Sequence, residues 1–588
     1  MSSVQLPQTY SMWTRDGVRL DADVYFPHST ISKQNSALNK EPIYNQEQGR
    51  SHLDKTFPVL LMRQPYGRAI ASTIVYAHPR WYAAQGYIVV IQDVRGRGTS
   101  EGEFDLFLHE VNDGADSIQW AAQLPGSDGK VGMYGFSYQG MTQLHAAQAK
   151  PPALKTIAPA MTGYHLYEDW ATENGAFCFQ LGLVWGLQLA AETARIKKDI
   201  STFQALLHAA HNLPFRDPVP AQPEVLNGVD SFFHDWVSSA ADSSYWQQRT
   251  PQLDEVDLPM LHIGGWFDPY LRGDLRLYQK MSVRSQSLHH FHIGPWTHIP
   301  WSSRSGTVDF GKEAISPIDR LQVQWFDAIL KGKDALKEQA SVCLFEMGRN
   351  QWRELSYWPN SNSIDQQGDQ TTYHLSSDGL SHIREDSGKL STNPTGALTI
   401  DTIVHDPWNP APALGGHSAI PAGSFERSTV DARGDVLTYT SEPLTSELRV
   451  VGVPEVVCAI AASSPSYDIC AVLSRVDTQG NVFNLTQGYR KVDITKSGNT
   501  DEGLRPVDLG ASDLQLQRVP LHPTCFSLAT GECLRLSLSA ACFPAYPINP
   551  GTGQPLSKSR LIDAQIITLT LAVGADSGSV LKLPVLSN

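Results

Sequence analysis

The chain has 588 residues, of which 41% are hydrophobic and 18% charged, with 46 Lys and Arg against 60 Asp and Glu for a formal net charge of −14. At about 150 residues per domain this length predicts roughly three or four domains or lobes, and ample apolar content with little charge excludes a disordered chain or a coiled coil. So acidic a chain repels phosphate backbones, which argues against a nucleic-acid partner.

The first twenty residues hold no apolar h-region, so no signal peptide is expected. Val18, Leu20, Ala22, Val24 and Phe26 alternate with polar residues, the period of a half-buried strand. Residues 29–55 are rich in Asn, Gln and Ser and read as a long surface insertion. The rhythm then changes. Apolar runs at 59–62, 87–91 and 131–134 are separated by helix-like stretches. One of these is 111–122, where Val111, Ala115, Ile118 and Ala122 form one apolar side. Continuous apolar strands between helices predict a parallel sheet covered on both faces. Runs at 156–158, 260–263 and 291–293 extend it.

Residues 164–250 interrupt the sheet with helical patterning and many aromatics, among them Trp170, Phe177, Trp185, Phe232 and Trp236. An insertion there can sit at the carboxyl ends of the strands, where open α/β sheets bind ligands, and is expected to cap a pocket. The plainer alternative is a helical subdomain whose aromatics fill its own core. The apolar stretch 176–191 is too short to span a bilayer comfortably, so no membrane partner is expected. A helix is predicted near 318–331, from Leu321, Trp325 and Ile329. Beyond about 340 the pattern turns all-β, with strand-like runs at 448–457, 534–538 and 566–571 and turn signals at 478–481 and 549–551. A jelly-roll β-sandwich is expected. The fold class is thus α/β, with residues 1–163 and 251–337 as the sheet domain, 164–250 as the cap and 338–588 as the sandwich. Seven scattered cysteines with no CxxC pair read as free, mostly buried thiols of a reducing, cytoplasmic compartment.

The run at 131–134 leads into Gly135-Phe136-Ser137-Tyr138-Gln139-Gly140 and then a helix over 141–149. A serine on a sharp strand-to-helix turn is the nucleophile-elbow arrangement, and it places Ser137 at a helix N-terminus whose N–H groups can stabilise an oxyanion. The second glycine comes one place later than in G-x-S-x-G, so alone the match competes with a serine in an ordinary tight turn. Order along the chain adds weight. In α/β-hydrolases an acid and then a histidine follow the serine, each after a later strand. Here Gly264-Gly265-Trp266-Phe267-Asp268 and Gly294-Pro295-Trp296-Thr297-His298 each follow an apolar run. Singly, Asp268 could cap a helix and His298 could be a surface histidine. All three falling in this order by chance is a much weaker reading.

These stretches, with Gln64-Pro65-Tyr66-Gly67-Arg68 and the segment Asp93-Val94-Arg95-Gly96-Arg97-Gly98-Thr99-Ser100-Glu101-Gly102, resemble the CocE/NonD hydrolases, the cocaine esterase and X-prolyl dipeptidyl-peptidase family. That family's elbow is G-x-S-Y-x-G, which puts the glycine at Gly140. The resemblance implies an α/β-hydrolase domain, a helical cap and a C-terminal jelly-roll, galactose-binding-like domain that braces the hydrolase and borders its pocket. It also implies roles. Ser137 is the nucleophile, His298 the general base and Asp268 its orienting acid, with an oxyanion hole from the Tyr66 hydroxyl and the Tyr138 backbone N–H.

Other signals are set aside. In Gly96-Arg97-Gly98-Thr99-Ser100-Glu101-Gly102 the third glycine is one residue late for a dinucleotide fingerprint. Asp93, Arg95 and Arg97 read instead as local charge partners. On a strand His289 points away from His290 and His292, which disfavours a metal there. No metal and no cofactor is expected.

The resemblance leaves three substrate chemistries: aryl esters, X-Pro dipeptides, and α-amino acid esters or β-lactam amides. The last two need carboxylates near a buried ammonium. Asp169 matches one member of the amino-ester hydrolase acidic cluster, but Tyr270 and Leu271 stand where the others belong. Glu168, Asp169 and Glu173 could still anchor an ammonium, or could be solvated helix carboxylates. An uncharged acyl group against Trp170, Trp185, Trp266 and Phe267 fits the aromatic content better. The favoured reading is a serine hydrolase of small ester or amide substrates. A dipeptidyl-peptidase or amino-ester hydrolase is second, and a catalytically silent scaffold third. A homo-oligomer is compatible with the sequence.

Overall fold

The structure, a computed structural model, describes residues 6–27, 56–69, 73–217, 219–336, 340–359, 369–494, 514–575 and 577–586. The polar segment 29–55 lies outside them.

Strand β1 (Gln8–Trp13) pairs antiparallel with β2 (Arg19–Tyr25), which is the alternating run near the N-terminus. Next come β3 (Phe57–Gln64), α1 (Pro79–Ala84), β4 (Ile88–Asp93), α2 (Glu110–Ala122), β5 (Ser127–Phe136), α3 (Tyr138–Gln148) and β6 (Leu154–Ala160). Every residue of β3 and β4 is buried, so their apolar runs are unbroken because both faces are covered. Ile118 of α2 and Met141 and Leu144 of α3 pack on one face. Tyr82 of α1 packs on the other.

After β6 comes the insertion. A single π turn (Leu166–Ala171) leads into the two-residue strands β7 (Thr172–Glu173) and β8 (Ala176–Phe177), then α4 (Phe179–Ile196), α5 (Ile200–His211), α6 (Phe232–Ser238) and α7 (Ser244–Arg249). The long apolar stretch is largely α4, and no described helix is long and apolar enough to cross a membrane. The chain returns with β9 (Met260–Phe267), α8 (Leu271–Arg284), β10 (His289–Thr297), the short hairpin β11 (Arg304–Ser305) and β12 (Val308–Asp309), and α9 (Ile318–Lys331). Trp325, Phe326 and Leu330 of α9 join Tyr82 on the second face.

The sheet does not end at the expected boundary of 337. Strand β13 (Val342–Glu346) pairs parallel with β10, and β14 (Gln351–Leu355) pairs antiparallel with β13. The result is ten strands in the order β1-β2-β4-β3-β5-β6-β9-β10-β13-β14. Strand patterning alone does not say which sheet a strand joins. Here the open edge of β10 decides, because its unpaired backbone groups need a partner.

From residue 369 the described residues form a separate β-domain of thirteen connected strands. The run at 448–457 is two strands, Leu448–Gly452 and Glu455–Ala462. The break falls at Gly452, whose φ of +136° suits glycine alone. One continuous core joins Trp266, Phe267, Phe291 and Ile293 of the ten-stranded sheet to Leu437, Val450, Phe526 and Leu536 of the β-domain. This shared core accounts for the low charged fraction, since the facing surfaces of both units are buried. All seven cysteines are free, and five of them are buried.

Candidate active site

Ser137 sits alone between the end of β5 and the start of α3, at φ 58° and ψ −126°. Such a backbone is costly for a residue with a Cβ, and it turns the side chain out of both elements. The flanking glycines have separate reasons. A Cβ on Gly135, at φ +139°, would lie 2.5 Å from Cβ of Gln139. A Cβ on Gly140 would lie 2.6 Å from Cβ of Thr162, where α3 abuts the end of β6. The turn is pinned by Ser137 N–H donating to Ala160 O at 2.9 Å and by Thr162 Oγ1 donating to Ser137 O at 2.8 Å. The Ser137 hydroxyl makes no cap bond to the helix. The Tyr138 N–H belongs to the first helical turn, which has no intrahelical acceptor.

Asp268 follows β9 and His298 follows β10, so two adjacent parallel strands deliver them side by side. His298 Nδ1 donates to Asp268 Oδ1 at 2.6 Å. Asp268 is fully buried, and its Oδ2 accepts the Tyr270 N–H at 3.1 Å. Asp274, one turn into α8, is also buried. Desolvation first, and then the charge of Asp268, hold its carboxyl well above the usual range. Its Oδ1 accepts the N–H groups of Thr162 and Gly163 at 3.0 and 2.9 Å.

Ser137 and His298 line one cavity of about 870 Å³. Its walls come from all three parts of the chain. Tyr66, Phe136, Gln139, Tyr270 and Ile299 belong to the sheet domain, and Leu181, Val184, Trp185 and Gln188 to the insertion. The β-domain contributes His417, Ala419, Ile420, Pro421 and Phe425. Among the described residues lining it there is no Asp or Glu, and Arg304 is the one Lys or Arg. Arg304 lies 3.3 Å from Asp309 in an exposed ion pair.

Tyr66 faces this cavity with its hydroxyl fixed. Trp185 Nε1 donates to Tyr66 Oη at 3.1 Å. An indole only donates, so it occupies a lone pair and leaves the Tyr66 O–H free to donate elsewhere. Burial holds that phenol well above its usual titration range. Tyr138 offers its backbone only. Its ring stacks on Phe107 at 4.4 Å, and its hydroxyl donates to Glu110 at 2.9 Å, away from the cavity. Glu110 in turn pairs with the buried Arg63.

Of the expected aromatic wall, Trp185 alone lines the cavity. Trp170 stands one layer back, stacked on Tyr270 at 4.3 Å and tilted against Trp185 at 5.2 Å. Trp266 donates to Phe345 O at 2.7 Å inside the core shared with the β-domain, and Phe267 packs towards Phe310. Both sit on the strand, before the loop that reaches the cavity. The cap carboxylates are engaged elsewhere. Glu168 is exposed and pairs with Arg276. Asp169 is buried, accepts the N–H groups of Tyr164 and His165 at 2.9 and 2.6 Å, and also faces Arg276. Glu173 is buried between Arg272, His417 and Tyr546. Arg95 meets Asp16 and Asp113, and Asp93 meets Arg68, as local pairing predicts. Arg97 differs: it lies buried over the Phe104 ring and donates to Leu189 O and Thr193 Oγ1. His289 contacts His262, while His290 and His292 pack on Trp325 and Trp352.

Sequence reasoning missed the β-domain segment 417–425. Its Gly415-Gly416 turn carries no catalytic pattern, and only the tertiary fold brings it to the cavity. Tyr270 carried a signal, because it stands where amino-ester hydrolases have carboxylates.

Residues 16–300 match the X-Pro dipeptidyl-peptidase (S15) family, and residues 334–572 match the X-Pro dipeptidyl-peptidase C-terminal non-catalytic domain. The chain is 28% identical to cocaine esterase of Rhodococcus sp. (strain MB1 Bresler) over 97% of each chain. Two solved structures share its fold. One is an aminopeptidase from a marine sediment archaeon (Thaumarchaeota archaeon), with TM-score 0.77 and 21% identity, covering 99% of this chain and 97% of that one. The other is an α-amino acid ester hydrolase, with TM-score 0.73 and 22% identity, covering 98% and 96%. With an α/β-hydrolase-like domain followed by an all-β domain, the chain belongs to the S15 family, with the CocE/NonD hydrolases, and is a serine hydrolase acting on ester or peptide bonds.

Proposed function

We propose that the protein hydrolyses neutral esters, and more slowly amides, of small acyl groups through Ser137, His298 and Asp268. His298 accepts the Ser137 proton as Oγ attacks the carbonyl carbon. The tetrahedral oxyanion is held by the Tyr66 hydroxyl and the Tyr138 N–H. His298 then gives its proton to the departing alcohol or amine as the carbon–heteroatom bond breaks, leaving an acyl-serine. Water, deprotonated by the same imidazole, attacks that acyl group, and the imidazolium returns the proton to Ser137 Oγ as the C–O bond breaks and the acid leaves. Asp268 fixes the imidazole tautomer and balances the imidazolium.

The observation that carries the substrate reading is a cavity holding Ser137 and His298 with no carboxylate in its described walls. A bound ammonium would leave water without a counter-charge, which costs several kcal/mol. Leu181, Val184, Ile420, Pro421 and Phe425 suit an uncharged apolar group instead. The insertion acts as the cap over this cavity and the β-domain as a brace, which we read as a jelly-roll sandwich of galactose-binding type. The free, mostly buried cysteines support a reducing, cytoplasmic setting.

The test is a substrate panel on the wild type and Ser137→Ala. An aryl ester, an aryl amide, an α-amino acid ester and an X-Pro anilide are compared, the last two with free and acylated amines. The proposal expects the neutral ester to be fastest and acylation of the amines to raise kcat/KM. An X-Pro anilide preferred over the ester, with the preference lost on blocking its amine, establishes the peptidase reading instead.

A further inference from the structure

A second histidine–carboxylate pair lies at the cavity wall, and only its histidine lines the cavity. His417 comes from the β-domain, is buried apart from the cavity it lines, and presents Nε2 to Glu173 Oε2 at 2.7 Å. Glu173 belongs to β7 of the insertion and is itself buried. Its carboxylate also meets Arg272 of α8, the Tyr546 hydroxyl at 2.6 Å and the Tyr489 N–H at 3.1 Å. Burial pushes this carboxyl up, but Arg272, with hydrogen bonds from His417 and Tyr546, outweighs it and holds the group below the usual carboxylate range. An ionised carboxylate only accepts, so the proton of the His417 ring lies on Nε2. In the neutral ring Nδ1 then keeps its lone pair, and among the described residues Nε2 is the ring nitrogen with a hydrogen-bond partner.

The ring is held firmly. It stacks on His522 at 3.9 Å and 11°. Its loop is closed by Gly416 N–H donating to Gly423 O at 2.7 Å and Gly423 N–H donating to Gly416 O at 2.9 Å. Gln487 Nε2 donates to Ser418 Oγ at 2.7 Å beside it. A fixed acceptor in an otherwise mostly apolar cavity discriminates by pairing, since a group that cannot donate leaves it desolvated and unpaired.

We propose that His417, set by Glu173, is a specificity-determining residue whose Nδ1 accepts a hydrogen bond from a hydroxyl or amide N–H of the substrate. The preferred substrates are then neutral esters that carry such a donor away from the scissile bond. This deepens the esterase reading and rests on it.

The test uses 4-nitrophenyl benzoates bearing a meta or para hydroxyl or carboxamide, each paired with its methoxy or dimethylamide counterpart, and the same pairs on the alcohol side of benzyl butyrates. Wild type is expected to favour the donor in at least one position by about tenfold in kcat/KM. His417→Phe removes the acceptor and should bring that ratio to about one. His417→Leu, which also has no acceptor, covers the case where the Phe variant does not fold, and it too should lose the ratio. A wild-type ratio of one at every position, a preference for the methoxy member, or a ratio that persists in both variants overturns the proposal. Hydrolysis of unsubstituted benzoate that survives Ser137→Ala sinks the esterase reading itself, so the two failures are told apart.

Discussion

Tyr66→Phe is the sharpest test of how charge is stabilised at the candidate site. The change removes one oxygen and leaves the ring in place. Two effects follow, and they separate by size. Loss of one oxyanion donor should lower kcat by about 100- to 1,000-fold, or about 2.7–4 kcal/mol of transition-state stabilisation. The Trp185 indole also loses its 3.1 Å acceptor, but that bond only orients the hydroxyl. A neutral hydrogen bond of about 0.5–1.5 kcal/mol predicts a fall of only about 2- to 13-fold for Trp185→Phe, and part of that is lost packing. The assay is steady-state hydrolysis of an aryl ester, with thermal unfolding to show that both variants fold. KM should change little in Tyr66→Phe, because the hydroxyl acts mainly in the transition state. A Tyr66→Phe enzyme within threefold of wild-type kcat, or a Trp185→Phe enzyme more damaged than Tyr66→Phe, refutes the assignment.

Asp268→Asn should lower kcat by about 10⁴-fold at neutral pH, through loss of the imidazole tautomer set by the 2.6 Å bond, and rates across pH will show whether base restores part of it. Gly140→Ala should destabilise the fold by about 1–3 kcal/mol and depress kcat, because its Cβ would lie 2.6 Å from Cβ of Thr162; an unshifted unfolding curve contradicts this. Glu173 has its folded pKa depressed below the ordinary 4.5, so its contribution to stability is present above about that pH and fades as pH falls below it. Melting temperatures of wild type and Glu173→Gln should therefore differ most near neutrality and converge in acid, and a constant offset from pH 7 to pH 3 speaks against the ion pair as the source.

The parallel sheet was legible because its strands are buried on both faces, which leaves unbroken apolar runs such as Ile88-Val89-Val90-Ile91. The candidate site was legible because elbow, acid and histidine each follow a strand end with glycine and aromatic markers. Three things were hidden. β13 and β14 carry ordinary strand patterning, and only the open edge of β10 draws them to the first sheet. Trp266 and Phe267 sit in the most informative motif of the chain, yet both pack in the core shared with the β-domain, a partner that comes from distant sequence. His417 lies about 120 residues beyond the last motif residue and reaches the cavity only through tertiary packing. Its partner Glu173 read as a solvated helix carboxylate because the buried cations and phenols around it come from distant segments.

The central claim is that Ser137 carries the acyl group. Wild-type protein is treated with a fluorophosphonate, digested and analysed by mass spectrometry, alongside ester turnover by the treated and untreated enzyme. The account predicts one phosphonyl adduct on the peptide containing Gly135-Phe136-Ser137-Tyr138-Gln139-Gly140, loss of ester hydrolysis in proportion to labelling, and neither labelling nor turnover in Ser137→Ala. An adduct on another residue, or ester hydrolysis that survives in Ser137→Ala, contradicts it.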